Sequence, residues 1–157
     1  MTSSRSRSAW VLAGFVAVCL GGGAVAGLAT SASVTAWYPQ LAKPSWTPPG
    51  WLFGPVWTVL YIMMAVAGWR VWRRVGWSAP HALFAIQLAL NIAWSFSFFA
   101  ARNPVAGLIN IAALWCAIVA TTIVFARIDR VAGALFVPYL AWVSFATALN
   151  AAIVASN

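Results

Sequence analysis

Five apolar stretches, none with a charge at its centre, leave this chain few ways to fold. They run over about residues 9–31, 51–72, 80–100, 104–126 and 131–154. About 20 apolar residues make a helix long enough to cross the roughly 30 Å hydrocarbon layer of a membrane. Each stretch reaches that length. The runs are continuous, whereas the strands of a membrane barrel alternate. A chain of 157 residues holds five such spans with short connectors and no separate soluble domain. The sequence therefore predicts an all-α polytopic membrane protein, a five-transmembrane-helix bundle forming a single domain over 1–157.

Charge narrows the chemistry. Charged residues are 6% of the chain, against about 25% in a soluble domain. Asp129 is the only acid beside nine Lys+Arg, for a net charge of +8. One carboxylate excludes paired-carboxylate catalysis and an acidic metal cage, and any acid-oriented triad would have to use Asp129. The cations are scattered between apolar blocks, unlike the single basic face of a nucleic-acid binder, so no nucleic-acid partner is expected.

The same cations set an orientation. Arg5, Arg7, Arg70, Arg73, Arg74, Arg127 and Arg130 fall on one side of the bundle, and Lys43 and Arg102 on the other. Positive loops stay inside, so the N-terminus is expected inside, with the C-terminus and the 32–50 connector outside. These arginines have enough to do in setting topology and meeting lipid headgroups. Trp69, Trp72 and Trp77 beside them read as an interfacial anchoring belt. His81 is expected at headgroup level. Cys19 and Cys116 fall inside spans without ligand spacing, so neither a disulfide nor a metal site is expected. The first stretch, with Arg5 and Arg7 before it and Ala29-Thr30-Ser31-Ala32 at its end, also has the outline of a cleavable signal peptide. Its apolar run exceeds the roughly 7–15 residues of a signal core, which favours a retained helix.

Two features are more specific. The 32–50 connector is long and carries Pro39, Pro44, Pro48 and Pro49 with Trp37, Tyr38 and Trp46. Prolines stiffen it and interrupt a helix. It reads either as a lid over a binding site or as an interfacial segment touching lipid. Aromatic and amide residues also share helix faces: Trp57 with Tyr61; Gln87 with Asn91 and Trp94; Tyr139 with Trp142, Ala146 and Asn150. Amides are costly in lipid and should face inward. Such stripes suit either a pocket for a flat apolar ligand with a polar edge or simple interhelical packing. About 200° around the third helix from the Gln87/Asn91 row, Ala85, Ala89, Ala93 and Ser97 form a small-residue row. That row fits a symmetric homodimer or close packing within one chain.

Read in order, several motifs resemble the TspO/MBR family of tryptophan-rich sensory and translocator proteins. They are Trp37-Tyr38, Lys43-Pro44-Ser45-Trp46, Pro48-Pro49, Trp51, Gly54-Pro55-Val56-Trp57 and Leu60-Tyr61. Gln87-Leu88-Ala89-Leu90-Asn91 with Trp94, Phe98-Phe99, Pro138-Tyr139-Leu140-Ala141-Trp142 and Phe145 to Asn150 continue the match. The likeness covers about residues 10–152.

The resemblance implies a five-helix bundle, commonly dimeric, with a pocket under the first long loop. It implies binding of tetrapyrroles such as protoporphyrin IX and haem, as ligands and not as obligatory cofactors, and a sensory role in tetrapyrrole or stress responses. Carried over by motif, the ligand-binding residues are Trp46, Trp51, Trp57, Tyr61, Asn91, Trp94, Trp142 and Ala146. Trp57 and Trp142 match the tryptophans linked to light-dependent porphyrin breakdown, and they would be the catalytic residues of that reaction. Transport of a porphyrin or small apolar metabolite is a further reading, though no internal repeat supports it. Animal members carry a cholesterol motif with a Tyr and a basic residue after the Leu-Asn. Here Leu149-Asn150 is followed by neither, so no cholesterol recognition is predicted. A bacterial cell membrane fits that loss.

Overall fold

A computed structural model describes residues 2–157, with side chains from Arg5 onward. Five helices make the fold: α1 (Thr2–Ala36), α2 (Phe53–Val75), α3 (Pro80–Ser95), α4 (Pro104–Ile128) and α5 (Arg130–Ser156). All five are long and apolar enough to cross a membrane, once the turn Phe96–Ala100 is added to α3. No strand occurs among the described residues.

Local chemistry explains the helix ends. Pro80 and Pro104 open α3 and α4, where a missing N–H costs nothing and φ is preset. Asn103 and Asp129 cap α4 and α5, accepting from Ala106 N at 3.0 Å and Ala132 N at 2.9 Å. Gly76 ends α2 with φ +65°, and its N–H donates to Trp72 O at 2.8 Å. Pro138 lies inside α5 without ending it.

Helix α1 runs well past the 9–31 expected. Thr30, Ser31 and Thr35 return their hydroxyls to carbonyls of their own helix, which lets a polar segment stay helical. The helix stops only where Pro39 enters the short 3₁₀ turn Tyr38–Gln40. The connector therefore begins near residue 37 rather than 32. At the end of the third span the backbone widens into a π-helical turn over Phe96–Ala100, closed by Ala101 N donating to Phe96 O at 2.8 Å. That turn buries Phe98 and leaves Phe99 half-buried beside it.

Helix contacts follow the circuit α1, α2, α5, α4, α3 and back to α1. Each helix buries one stripe into that ring, as with Phe15, Cys19, Ala26 and Ser33 of α1. Met64, Ile111, Leu114, Ile118, Phe125, Phe136 and Tyr139 fill the middle. Helices α4 and α5 approach closely because Gly133 has no side chain. A Cβ there would lie 2.5 Å from Ala126 Cβ. The outer faces are apolar, with Leu28 77% and Ile109 70% exposed, as lipid contact requires.

Candidate functional site

The expected aromatic stripes lead to a cavity of about 870 Å³ between α1, α2, α3 and the 37–52 connector. Trp57 and Tyr61 line it from α2, and Asn91 and Trp94 from α3. Spacings of four and three residues put each pair on one helix face. The Trp57 and Tyr61 rings lie 5.7 Å apart. The size suits a drug-sized or larger apolar ligand.

A polar chain crosses the floor. Tyr61 OH donates to Asn91 Oδ1, and Asn91 Nδ2 donates to Tyr139 OH at 2.8 Å. Asn91 thus ties α2, α3 and α5 together while facing the cavity. Trp94 Nε1 donates to Asn150 Oδ1 at 3.3 Å, and Asn150 Nδ2 donates to Pro104 O at 2.8 Å. Gln87 and Asn150 are buried away from the cavity, Gln87 with its Nε2 toward Met64 Sδ at 3.7 Å. The two uses of inward amides, lining a pocket and joining helices, therefore meet in Asn91.

The connector roofs this space. Lys43 Nζ donates to the carbonyls of Tyr38 at 2.8 Å, Leu41 at 3.0 Å and Pro39 at 3.2 Å, and lies 4.9 Å from the Tyr38 ring centroid. One ammonium so folds the segment around itself. Burial pushes the Tyr38 phenol above its usual range, so it stays protonated. Asn157 fastens the connector to the end of α5: Ala42 N donates to its Oδ1 at 3.0 Å, and its Nδ2 donates to Ala42 O at 3.1 Å. Trp37 and Tyr38 pack on Phe98 with ring centroids at 5.7 and 6.3 Å.

Four of the residues expected at the site line the cavity, and four stand elsewhere. Trp46 is about half exposed, with its ring 5.7 Å from Phe145. Trp51 is largely exposed. Trp142 packs between Phe53 at 5.7 Å and Phe145 at 5.5 Å, and Ala146 is buried in the core. The circuit of helices explains this. Helix α5 lies on the far side of α2 from α1, so Phe53 stands between Trp142 and the cavity it lines. In exchange, α1 supplies a wall with Gly23 and Gly27 at helical spacing. A Cβ on Gly23 would strike the Tyr61 ring at 2.5 Å, whereas one on Gly27 would meet nothing within 4 Å. The glycine pair is visible in the sequence, but spacing there does not tell packing from the lining of a space.

His81 stands in the first turn of α3, as expected, but it is covered rather than open to headgroups. Its ring is buried among Phe15 and Trp77, with centroids at 6.0 and 5.1 Å, and Nε2 lies 3.4 Å from Gly68 O. Both rings come from segments that fold over it. It is 13 residues before Trp94, about 20 Å along α3, too far to reach a guest in the cavity. Among the described residues no group of three His, Cys, Asp or Glu could hold a metal. At the arginine-rich end, Asp129 accepts from Arg70 Nη2 at 2.9 Å and Nε at 3.1 Å, and from Arg74 Nε at 3.3 Å. The Arg70 hydrogen bonds hold its carboxyl down at about 2.

The fold and site define a class: an integral membrane protein of five helices with an aromatic-walled cavity under a proline-stiffened loop. Residues 15–155 match the TspO/MBR family, and the chain belongs to it. It is 46% identical over 146 residues to the tryptophan-rich protein TspO of Chlorobaculum tepidum, covering 90% of this chain and 92% of that one. The tryptophan-rich protein TspO of Archaeoglobus fulgidus is 45% identical over 130 residues, covering 82% and 84%. The human translocator protein is 41% identical over 119 residues, covering 73% and 70%.

Proposed function

We propose that the cavity binds a tetrapyrrole such as protoporphyrin IX or haem, and that occupancy serves a sensory role in tetrapyrrole or stress responses. One observation carries this reading: Trp57, Tyr61 and Trp94 line a space of about 870 Å³ whose polar lining includes Asn91 on the floor and Lys43 at the roof. The rings offer stacking surface to a flat macrocycle, and apolar burial supplies most of the affinity. The Lys43 ammonium spends its N–H donors on connector carbonyls, but its charge beside the cavity attracts the carboxylates on a porphyrin edge. With His81 remote, the macrocycle is held by stacking and not by an axial histidine. Titration of purified protein with protoporphyrin IX, read by tryptophan quenching, tests this. Trp57→Ala should weaken binding about tenfold, on the order of one stacked ring. An unchanged affinity would remove the cavity as the site.

A second reading, light-dependent porphyrin breakdown, has one supporting observation: the oxidisable Trp57 and Tyr61 rings sit together at the cavity wall. It asks for porphyrin loss under light with turnover, abolished in Trp57→Phe. Trp142 would act from behind Phe53. For assembly, Ala85 and Ala89 are exposed and Ala93 and Ser97 partly so, which supports a homodimer through α3. Cysteine at Ala89 should then cross-link two copies in membranes. We place the arginine-rich end in the cytoplasm of a bacterial cell, a placement tested by labelling single cysteines on each side.

A further inference from the structure

At the arginine-rich end, a second hollow of about 820 Å³ opens between the first turns of α1 and the last turns of α2. Its rim carries Arg5, Arg7 and Arg73, and its walls include Trp69, Trp72 and Trp77. Trp69 Nε1 donates to Ser8 O at 3.0 Å and Ser8 Oγ at 3.2 Å, so the two helix ends are fixed against each other. The Arg73 guanidinium lies 4.8 Å from the Trp69 ring centroid. Stacking occupies its flat face and leaves the in-plane N–H donors free to grip an oxyanion.

The charge at this hollow has no acid to answer it. Asp129 is the only acidic residue, and Arg70 and Arg74 take it in the two ion pairs found among the described residues. Arg5, Arg7 and Arg73 are exposed. Three guanidiniums converging on one hollow repel each other unless an anion joins them. The indole walls mark this level as the membrane boundary, where the available anions are lipid headgroups.

We infer that this hollow is a binding site for the headgroup of an anionic phospholipid. The phosphate bridges Arg73 and the α1 arginines, and the glycerol and upper acyl carbons lie along Trp72 and Trp77. This differs from diffuse attraction to a charged surface, because it assigns the preference to one concave site and spares the exposed Arg127 and Arg130 at the α4–α5 joint.

The experiment compares two charge-matched variants, Arg7→Gln/Arg73→Gln and Arg127→Gln/Arg130→Gln, in detergent. Dioleoylphosphatidylglycerol, dioleoylphosphatidylcholine or inorganic phosphate is added, and thermal midpoint and lipid retention by native mass spectrometry are read. The wild type should be stabilised by phosphatidylglycerol well beyond phosphatidylcholine. The α4–α5 variant should keep that difference, and the hollow variant should need about tenfold more phosphatidylglycerol, as expected for losing two headgroup contacts. Equal losses in both variants, or no difference between the two lipids, would overturn the site. Inorganic phosphate reproducing the lipid's full effect would overturn the lipid assignment. All four positions are exposed, so both variants should fold, with helix content by circular dichroism as the check.

Discussion

Asp129 and Arg70 meet through two parallel hydrogen bonds, at 2.9 and 3.1 Å, that lock the α4–α5 joint onto the end of α2. The same carboxylate caps α5 through Ala132 N at 2.9 Å. One side chain thus does two jobs, and substitutions separate them. Asp129→Asn keeps a capping oxygen and loses the charge; Asp129→Ala loses both. The alanine variant should lose about 1–3 kcal/mol, less than a fully buried pair because both arginines stay partly exposed, and asparagine should recover part of it. Thermal unfolding in detergent measures this.

The pH dependence follows with a definite sign. The Asp129 carboxyl is held at about 2, below its usual 3.8. A depressed acid contributes stability above its unfolded value and loses it as the pH falls through the folded one. The wild-type midpoint should therefore decline between about pH 4 and pH 2. Asp129→Asn should be less stable at neutral pH and flatter across that window. Parallel curves would refute the linkage.

How much of this was legible beforehand depends on what each feature rests on. Each span declares itself, because about 20 apolar residues in a row have few alternatives. Trp57 with Tyr61, and Asn91 with Trp94, were legible as pairs because helical spacing alone puts them on one face. Trp142 was not, since its neighbours depend on which helix α5 packs beside, and periodicity carries no such information. Nor does a glycine reveal whether it admits a neighbour, as Gly23 does for Tyr61, or leaves a void, as Gly27 does. Arg70 and Arg74 looked like topology signals until the fold brought Asp129 between them. The burial of His81 was not legible, because Phe15, which covers it, is 66 positions away in sequence.

The two glycines make a matched test of the α1 wall. Gly27→Leu places a side chain into open cavity space and gains helix propensity. It should fold as well as the wild type and bind protoporphyrin IX at least tenfold more weakly, because it takes volume from the guest. Gly23→Ala instead pushes on the Tyr61 ring and disturbs its bond to Asn91. That variant should lose about 1–3 kcal/mol of stability, as for strained packing. If Gly27→Leu leaves titrations unchanged, the guest does not occupy this space.

The floor predicts an asymmetry between its two tyrosines. Tyr61→Phe removes the donor to Asn91 Oδ1, and Tyr139→Phe removes the acceptor for Asn91 Nδ2. Asn91 is buried, so each change strands a polar atom and should cost about 1–3 kcal/mol. Tyr61 lines the cavity and Tyr139 does not. Tyr61→Phe should therefore alter ligand affinity as well as stability, and Tyr139→Phe stability alone. Paired unfolding and binding measurements on both variants separate the outcomes, and a binding change confined to Tyr139→Phe would contradict the arrangement.

The roof is held by two fastenings of different kinds, and each leaves its own signature. Asn157 clasps Ala42 through a reciprocal amide pair. Asn157→Ala should expose the Ala42 amide, raising its hydrogen exchange without altering the cavity wall. Lys43 organises the segment from within by bonding three carbonyls. Lys43→Met retains the bulk of the stem but leaves those carbonyls unanswered, so it should loosen residues 38–43 as a unit. If the connector is a lid, both variants should release a bound porphyrin faster, by several-fold, because affinity changes fall mainly on dissociation. Lys43→Met should act more strongly, since it also removes the positive charge beside the cavity. Stopped-flow displacement alongside exchange mass spectrometry reads both quantities. Faster exchange with unchanged release would mean that the guest leaves by a route the connector does not guard.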